Sequence, residues 1–140
     1  MYITMQRTVL CDEGRTQLNG LKDKINASGL ISGYIEAVLL KVISLEDCYG
    51  YSISKTIAEI TDNDCQIKEA TLYSGLRRLE AESLISSYWG DESQGGRRKY
   101  YTLTQKGSNS LQENIQKWEM TKSLIDRILG WNNVKGEVYE

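Results

Sequence analysis

The feature that most constrains this chain is a change of apolar spacing near residue 84, followed by a return to the first spacing near residue 105. Upstream, Ile31, Ile35, Val38, Leu39 and Val42 recur at intervals of four and three, the period of a helix with one buried face. Ile53, Ile57 and Ile60 repeat the pattern, and Leu72, Leu76 and Leu79 form a third stripe. The spacing predicts helices over 31–44, 50–59 and 68–82. Thr61-Asp62-Asn63-Asp64 stops the second of them. Leu84–Trp89 and Arg98–Leu103, rich in Tyr, Trp and Ile, then read as two strands around a glycine-rich turn. Thr104 is placed to cap a last helix over 105–129.

That last helix carries a seven-residue seam. Leu111, Ile115, Trp118, Lys122, Ile125 and Leu129 follow one another at alternating steps of four and three, the period of a coiled coil. Leu124, Ile128 and Trp131 make a second, partial stripe, so the helix is expected to touch two surfaces. The expected organisation is an N-terminal extension over 1–28, a compact unit over 29–104, a dimerisation helix over 105–130 and a tail over 131–140. A short helix is expected near Thr16–Asn26, from Leu18, Leu21 and Ile25. The fold class is mainly α with a small β-hairpin: a winged helix-turn-helix plus a C-terminal dimerisation helix. The third helix would be the recognition helix and the hairpin the wing.

Composition narrows the chemistry. The 140 residues include no His and no Pro. Without His there is no His-based triad and no His metal ligand. Cys11, Cys48 and Cys65 form no C-x-x-C pair, which argues against a zinc site or a disulfide framework and for small hydrophobes. No cofactor or metal is expected, and an enzyme is disfavoured. No apolar run is long enough for a membrane span, and Met1–Met5 does not open a signal peptide, so a cytoplasmic protein is expected.

The net charge of −2 does not suggest a generic nucleic-acid coat. Its distribution does suggest a localised contact. Residues 29–65 hold 2 basic and 6 acidic side chains, whereas 66–104 hold 6 and 5, clustered as Arg77-Arg78 and Arg97-Arg98-Lys99. Beside Arg77 the third helix carries small residues, Ala70, Ser74 and Ala81, so this face can approach a partner surface closely. Three adjacent cations repel one another unless an anion arrives, so phosphate contact is the expected use of the turn.

The wording of residues 31–107 resembles the PadR family of bacterial transcriptional regulators. Tyr49-Gly50-Tyr51 is similar to the family's element at the start of its second helix. Ala70-Thr71-Leu72-Tyr73 with Leu76 and Arg78-Leu79-Glu80 is similar to its recognition-helix signature. Gly95-Gly96-Arg97-Arg98-Lys99-Tyr100-Tyr101-Thr102-Leu103-Thr104, with Gly107, is similar to its wing and exit. Ser83 stands where the family usually has Gly, and Ser74-Gly75 replaces a common Pro-containing pair. The resemblance implies a homodimer that binds double-stranded operator DNA. The residues expected at the DNA are Tyr49, Thr71, Tyr73, Ser74, Arg77, Arg78, Arg97, Arg98 and Lys99.

Ser86–Gly96 and Trp118 are similar to the multidrug-sensing members, in which the matching tryptophans face one another at the dimer centre and planar aromatic drugs slot between them. The resemblance therefore implies a planar aromatic small molecule at Trp118 and release of an efflux or stress-response gene from repression. Ile115, Asn114, Glu119 and Lys122 would flank that slot, with Ala37 and Tyr34 opposite. Leu111, Ile115, Trp118, Ile125 and Leu129 would join the subunits. The same residues leave open a winged helix that binds protein rather than DNA. They also leave open a regulator that answers a phenolic acid or another signal.

Overall fold

The computed structural model describes Gly29, residues 31–91 and residues 96–132. The expected helix near Thr16–Asn26, the tip of the hairpin and the end of the tail lie outside them. Gly29 and Ile31 are helical; a 3-10 turn, Ser32–Tyr34, follows, and the chain continues as α1, Ile35–Leu45. The periodicity predicts a regular helix from residue 31. Ser32-Gly33 are weak helix formers, and the backbone tightens to a 3-10 turn across them before the regular turns of α1. Next come β1 (Cys48–Tyr49), α2 (Gly50–Ile60), α3 (Glu69–Ala81), β2 (Ile85–Trp89), β3 (Lys99–Leu103) and α4 (Gln105–Leu129).

The expected stop of α2 is present. Thr61 closes it: its hydroxyl donates to the Ile57 carbonyl at 2.8 Å and accepts from the Cys65 amide at 3.1 Å. Asp62 and Asn63 then take φ of 49° and 65°, a region that Asp and Asn tolerate better than most residues. At the end of α3, Ser83 also takes a left-handed φ, 62°. That is why a glycine suits this position: a Cβ there is strained.

The hairpin is part of a three-stranded antiparallel sheet in the order β1-β3-β2. The sequence pattern gives no sign of β1. It is two residues long, pairing Cys48 with Tyr101 and Tyr49 with Tyr100, and has no period of its own. One face of the sheet joins the core. Ile85 and Tyr101 pack there with Leu39, Leu40 and Ile43 of α1, Ile53 of α2 and Leu72, Leu76 and Leu79 of α3.

The N-cap of α4 is as expected. The Thr104 hydroxyl accepts from the Gly107 amide at 3.0 Å and donates to the Leu84 carbonyl at 2.9 Å. Gly107 fits because the helix passes the Leu84 carbonyl so closely that a Cβ would overlap its oxygen. One expected dimer residue is reassigned here. Leu111 is 4% exposed and belongs to the core of its own subunit, because the first turns of α4 lie against the winged unit. Downstream of Leu111 no side chain of α4 is buried.

Candidate nucleic-acid interface

The side chains expected at DNA divide into three groups according to what holds them. Tyr73 and Arg77 are exposed on α3, as is Ser74. Tyr73 lies across Gly50, the first residue of α2, where any Cβ would strike its ring and hydroxyl. Tyr-Gly-Tyr therefore has a steric reason: the glycine makes room for a tyrosine from α3. Thr71 is half-buried in a small cleft beside Ile31 and Lys68.

Arg78 and Lys99 are tied to carboxylates. The Arg78 guanidinium donates to Glu36 of α1 at 3.1 Å. Lys99 lies 3.5 Å from Glu80 of α3 and over the Tyr101 ring. Arg78 thus turns toward α1, and Lys99 braces the wing against α3. Sequence reasoning groups both with the DNA-facing cations and has no signal for these partners, which lie far away along the chain.

Arg97 and Arg98 rest on aromatic rings. Neighbouring residues of an extended chain leave on opposite sides. Arg98 lies 4.6 Å from the centre of the Tyr49 ring, and Arg97 lies 5.5 Å from that of Trp89. The Tyr49 ring is itself set edge-on to Tyr100 at 5.5 Å. Tyr100 stacks on its cross-strand neighbour Tyr88 at 5.6 Å, and Tyr88 donates to Asp47 at 2.7 Å. That hydrogen bond raises the Tyr88 hydroxyl above its ordinary pKa. Burial chiefly raises Tyr101, with Glu80 adding to it. Neither phenol is ionised near neutral pH.

Cys48 and Cys65 are buried. Burial, reinforced by Glu46 and Asp47, pushes the Cys48 thiol up to about 11, and burial raises Cys65. Both are inert hydrophobes in this setting, and Cys11 lies outside the described residues. Among the described residues no group of His, Cys, Asp and Glu side chains is arranged to hold a metal ion.

A second set of expected residues meets at the α1–α4 junction. Tyr34 and Trp118 pack edge to face, 5.0 Å between ring centres. Beside them lies an apolar cavity of about 400 Å³, lined by Ala37, Val38, Ile60 and Ile115 among others. Asn114 lines it too. Trp118 also borders a more polar cleft that contains Glu36, Arg78 and Lys117. Glu119 and Lys122 are expected here and line neither space; they pair with each other at 3.3 Å along α4. Ile125 and Leu129 lie further along, exposed.

Among the described residues no helix is long and apolar enough to cross a membrane. Residues 39–113 match the family model described as the transcriptional regulator PadR-like family. The chain is 44% identical over 99 residues to uncharacterized protein X of Lysinibacillus sphaericus, an alignment spanning 71% of this chain and 91% of that one. It is similar to the solved structure of a transcriptional regulator from Clostridium thermocellum, with 40% identity, a TM-score of 0.66, and coverage of 71% and 96% of the two chains. A PadR family transcription regulator from Clostridium difficile superposes with 38% identity and a TM-score of 0.62, covering 69% and 98%. A winged-helix sheet braced on α3, a family model spanning more than half the chain and relatives of this identity agree: the chain belongs to the PadR-like family of transcriptional regulators.

Proposed function

We propose that this protein is a homodimeric repressor that grips double-stranded operator DNA through α3 and the wing, and lets go when a planar hydrophobic ligand enters beside Trp118. One observation carries the DNA part. Tyr73 of α3 lies on Gly50, Gly50 follows Tyr49, and Arg98 of the wing lies on the Tyr49 ring. Recognition helix, start of α2 and wing therefore share one continuous patch. Arg77 and Arg98 are exposed cations on it, Tyr73 and Ser74 are hydrogen-bonding groups, and Arg97 is exposed beside Trp89 on the other side of the hairpin. A helix set for the major groove beside a basic wing fits a duplex.

The dimer rests on the unpartnered apolar length of α4, and the ligand on the cavity between Tyr34, Ile115 and Trp118. A ligand acts on DNA binding only if it prefers one dimer geometry over another. Half-site spacing is then the property that changes. The regulated gene is proposed to serve efflux or stress response.

The experiment is binding to the DNA upstream of the protein's own gene, measured across a salt series with and without a panel of planar dyes. Affinity should fall steeply with salt. Arg97→Ala with Arg98→Ala should flatten the slope by roughly 0.9 for each phosphate that the wing no longer neutralises. An unchanged slope in the double variant refutes the assignment of the wing, and binding that ignores salt favours a protein-interaction module.

A further inference from the structure

Two spaces meet at Trp118, and their charges do not balance. The apolar cavity of about 400 Å³ and the polar cleft of about 440 Å³ share Tyr34, Ala37, Asn114 and Trp118 as lining. A molecule stacked on the indole therefore borders both. Among the described residues, Lys41 is the charged side chain of the cavity. Those of the cleft are Glu36 of α1, Arg78 of α3 and Lys117 of α4. Three cations thus face one carboxylate. That carboxylate is already engaged, because Glu36 accepts from Arg78 at 3.1 Å. Lys117 is exposed and makes no ion pair among the described residues.

We propose that the polar cleft is an acid-binding subsite of the ligand site: a planar aromatic anion stacks beside Trp118, sets its acidic group between Lys117 and Arg78, and so takes Arg78 from Glu36. The proposal deepens the ligand reading given above and rests on it.

The position of Arg78 makes this subsite more than a source of affinity. Arg78 lies on α3, next to Arg77 of the proposed DNA face. Its bond to Glu36 ties α3 to the first turn of α1. An acidic group that replaces Glu36 keeps the guanidinium paired, but moves its partner from α1 to a molecule stacked on α4. The recognition helix then exchanges a tie within the winged unit for a tie to the ligand. A neutral molecule stacks on Trp118 and leaves the pair intact. A cation meets Lys41 and Lys117 as like charges.

The pair also sets the scale of the coupling. Arg78 is 54% exposed and Glu36 35%. Ion pairs open to water to this degree shift an equilibrium by at most about fivefold. The difference in DNA affinity between an acidic and a neutral ligand is bounded by the same factor, because coupling between two sites is reciprocal.

The test uses three probes of one ring system on the full-length protein: naphthalenesulfonate, naphthylmethanol and naphthylmethylammonium. Affinity should fall in that order, with the anion about threefold to tenfold above the cation. Lys117→Gln should narrow the gap, and Lys117→Glu should reverse the order. Comparing probes within one variant keeps the result valid if the substitution also alters the dimer. Equal affinity for anion and cation in the parent overturns the subsite. At saturation, the sulfonate should weaken binding to the DNA upstream of the gene up to about fivefold more than the alcohol does. Glu36→Gln removes the competitor for Arg78, so the sulfonate should bind it about threefold more tightly, and its extra effect on DNA should vanish. An extra effect that persists in Glu36→Gln overturns the link through Arg78. Arg78→Gln gives the second reading: it should weaken the sulfonate and leave the alcohol within about twofold of the parent. Loss of both probes alike there overturns the subsite. Trp118→Ala separates the two levels. If all three probes bind that variant as they bind the parent, the ligand site at Trp118 is what fails, and the inference falls with it. If all three weaken there while the parent shows no charge order, the ligand site stands and the inference alone fails.

Discussion

The winged unit and the second half of α4 use the same apolar period to opposite ends. In the winged unit, Leu39, Leu40, Ile53, Leu76 and Leu79 are fully buried. In α4 beyond Leu111, the same spacing leaves Ile128 70% and Leu129 80% exposed. Leu111 marks the change, since it opens the seam yet belongs to the core of its own subunit. A stripe at steps of three and four says that a helix face is covered. It does not say which chain covers it. A long helix whose apolar residues are open over its last turns is unstable alone in water, so a second copy of the chain is the natural cover.

The most direct way to break this comparison is to make the open face hostile to itself. Ile125→Asp with Leu129→Asp would place two carboxylates from each subunit in the proposed symmetric interface, where each costs several kcal/mol unless paired. The variant should sediment as a monomer at tens of micromolar, and its unfolding midpoint should stop depending on protein concentration. A dimer that survives means that these positions do not join the subunits.

The opposite substitution sharpens the contrast from the core side. Leu76→Ala empties a fully buried position of the core on α3 and should cost about 2–5 kcal/mol in denaturant unfolding. Because the loss lies inside one subunit, it should be the same at low and high protein concentration once dimer dissociation is accounted for. A loss below about 1 kcal/mol would show that the three-helix core repacks freely.

The three core helices, the wing strands and the Thr104 cap are legible because each has a local signature: a period, a β-rich run, a threonine three residues before a glycine. What is not legible is long-range. β1 forms only because β3, far along the chain, lies beside it. In sequence Arg78 and Lys99 look like their neighbours Arg77 and Arg98; only the fold sets Glu36 and Glu80 across from them. Of the residues expected at a ligand, Tyr34, Ala37, Asn114, Ile115 and Trp118 come together because α1 and the turn before it pack on α4. Adjacency in sequence places Glu119 and Lys122 there too, but they reach along the helix to each other. The clustering of Tyr49, Tyr51, Tyr88, Trp89, Tyr100 and Tyr101 is the available sign of an aromatic platform, and by composition alone it reads as strand-forming.

Trp118 lies where the two regions meet, and it gives the smallest and most specific test. It is 42% exposed, packed edge to face with Tyr34 and bordering both the apolar cavity and the polar cleft. Were it core filler at the dimer interface, removing it would weaken the dimer and leave no particular mark on small molecules. If it is a stacking surface, the ligand feels the loss first. Stacking on indole is worth on the order of 1 kcal/mol per face beyond area burial, and two subunits offer two faces. Trp118→Ala should therefore weaken a planar dye about tenfold to a hundredfold while the dimer and its DNA affinity persist. The dye should also quench tryptophan fluorescence, and the quenching should vanish in Trp118→Ala but persist in Trp89→Phe. Equal quenching in parent and Trp118→Ala would place the dye elsewhere. A dimer that falls apart in Trp118→Ala would assign the side chain to the interface, and the boundary between the two regions would then move from Leu111 toward Ile115.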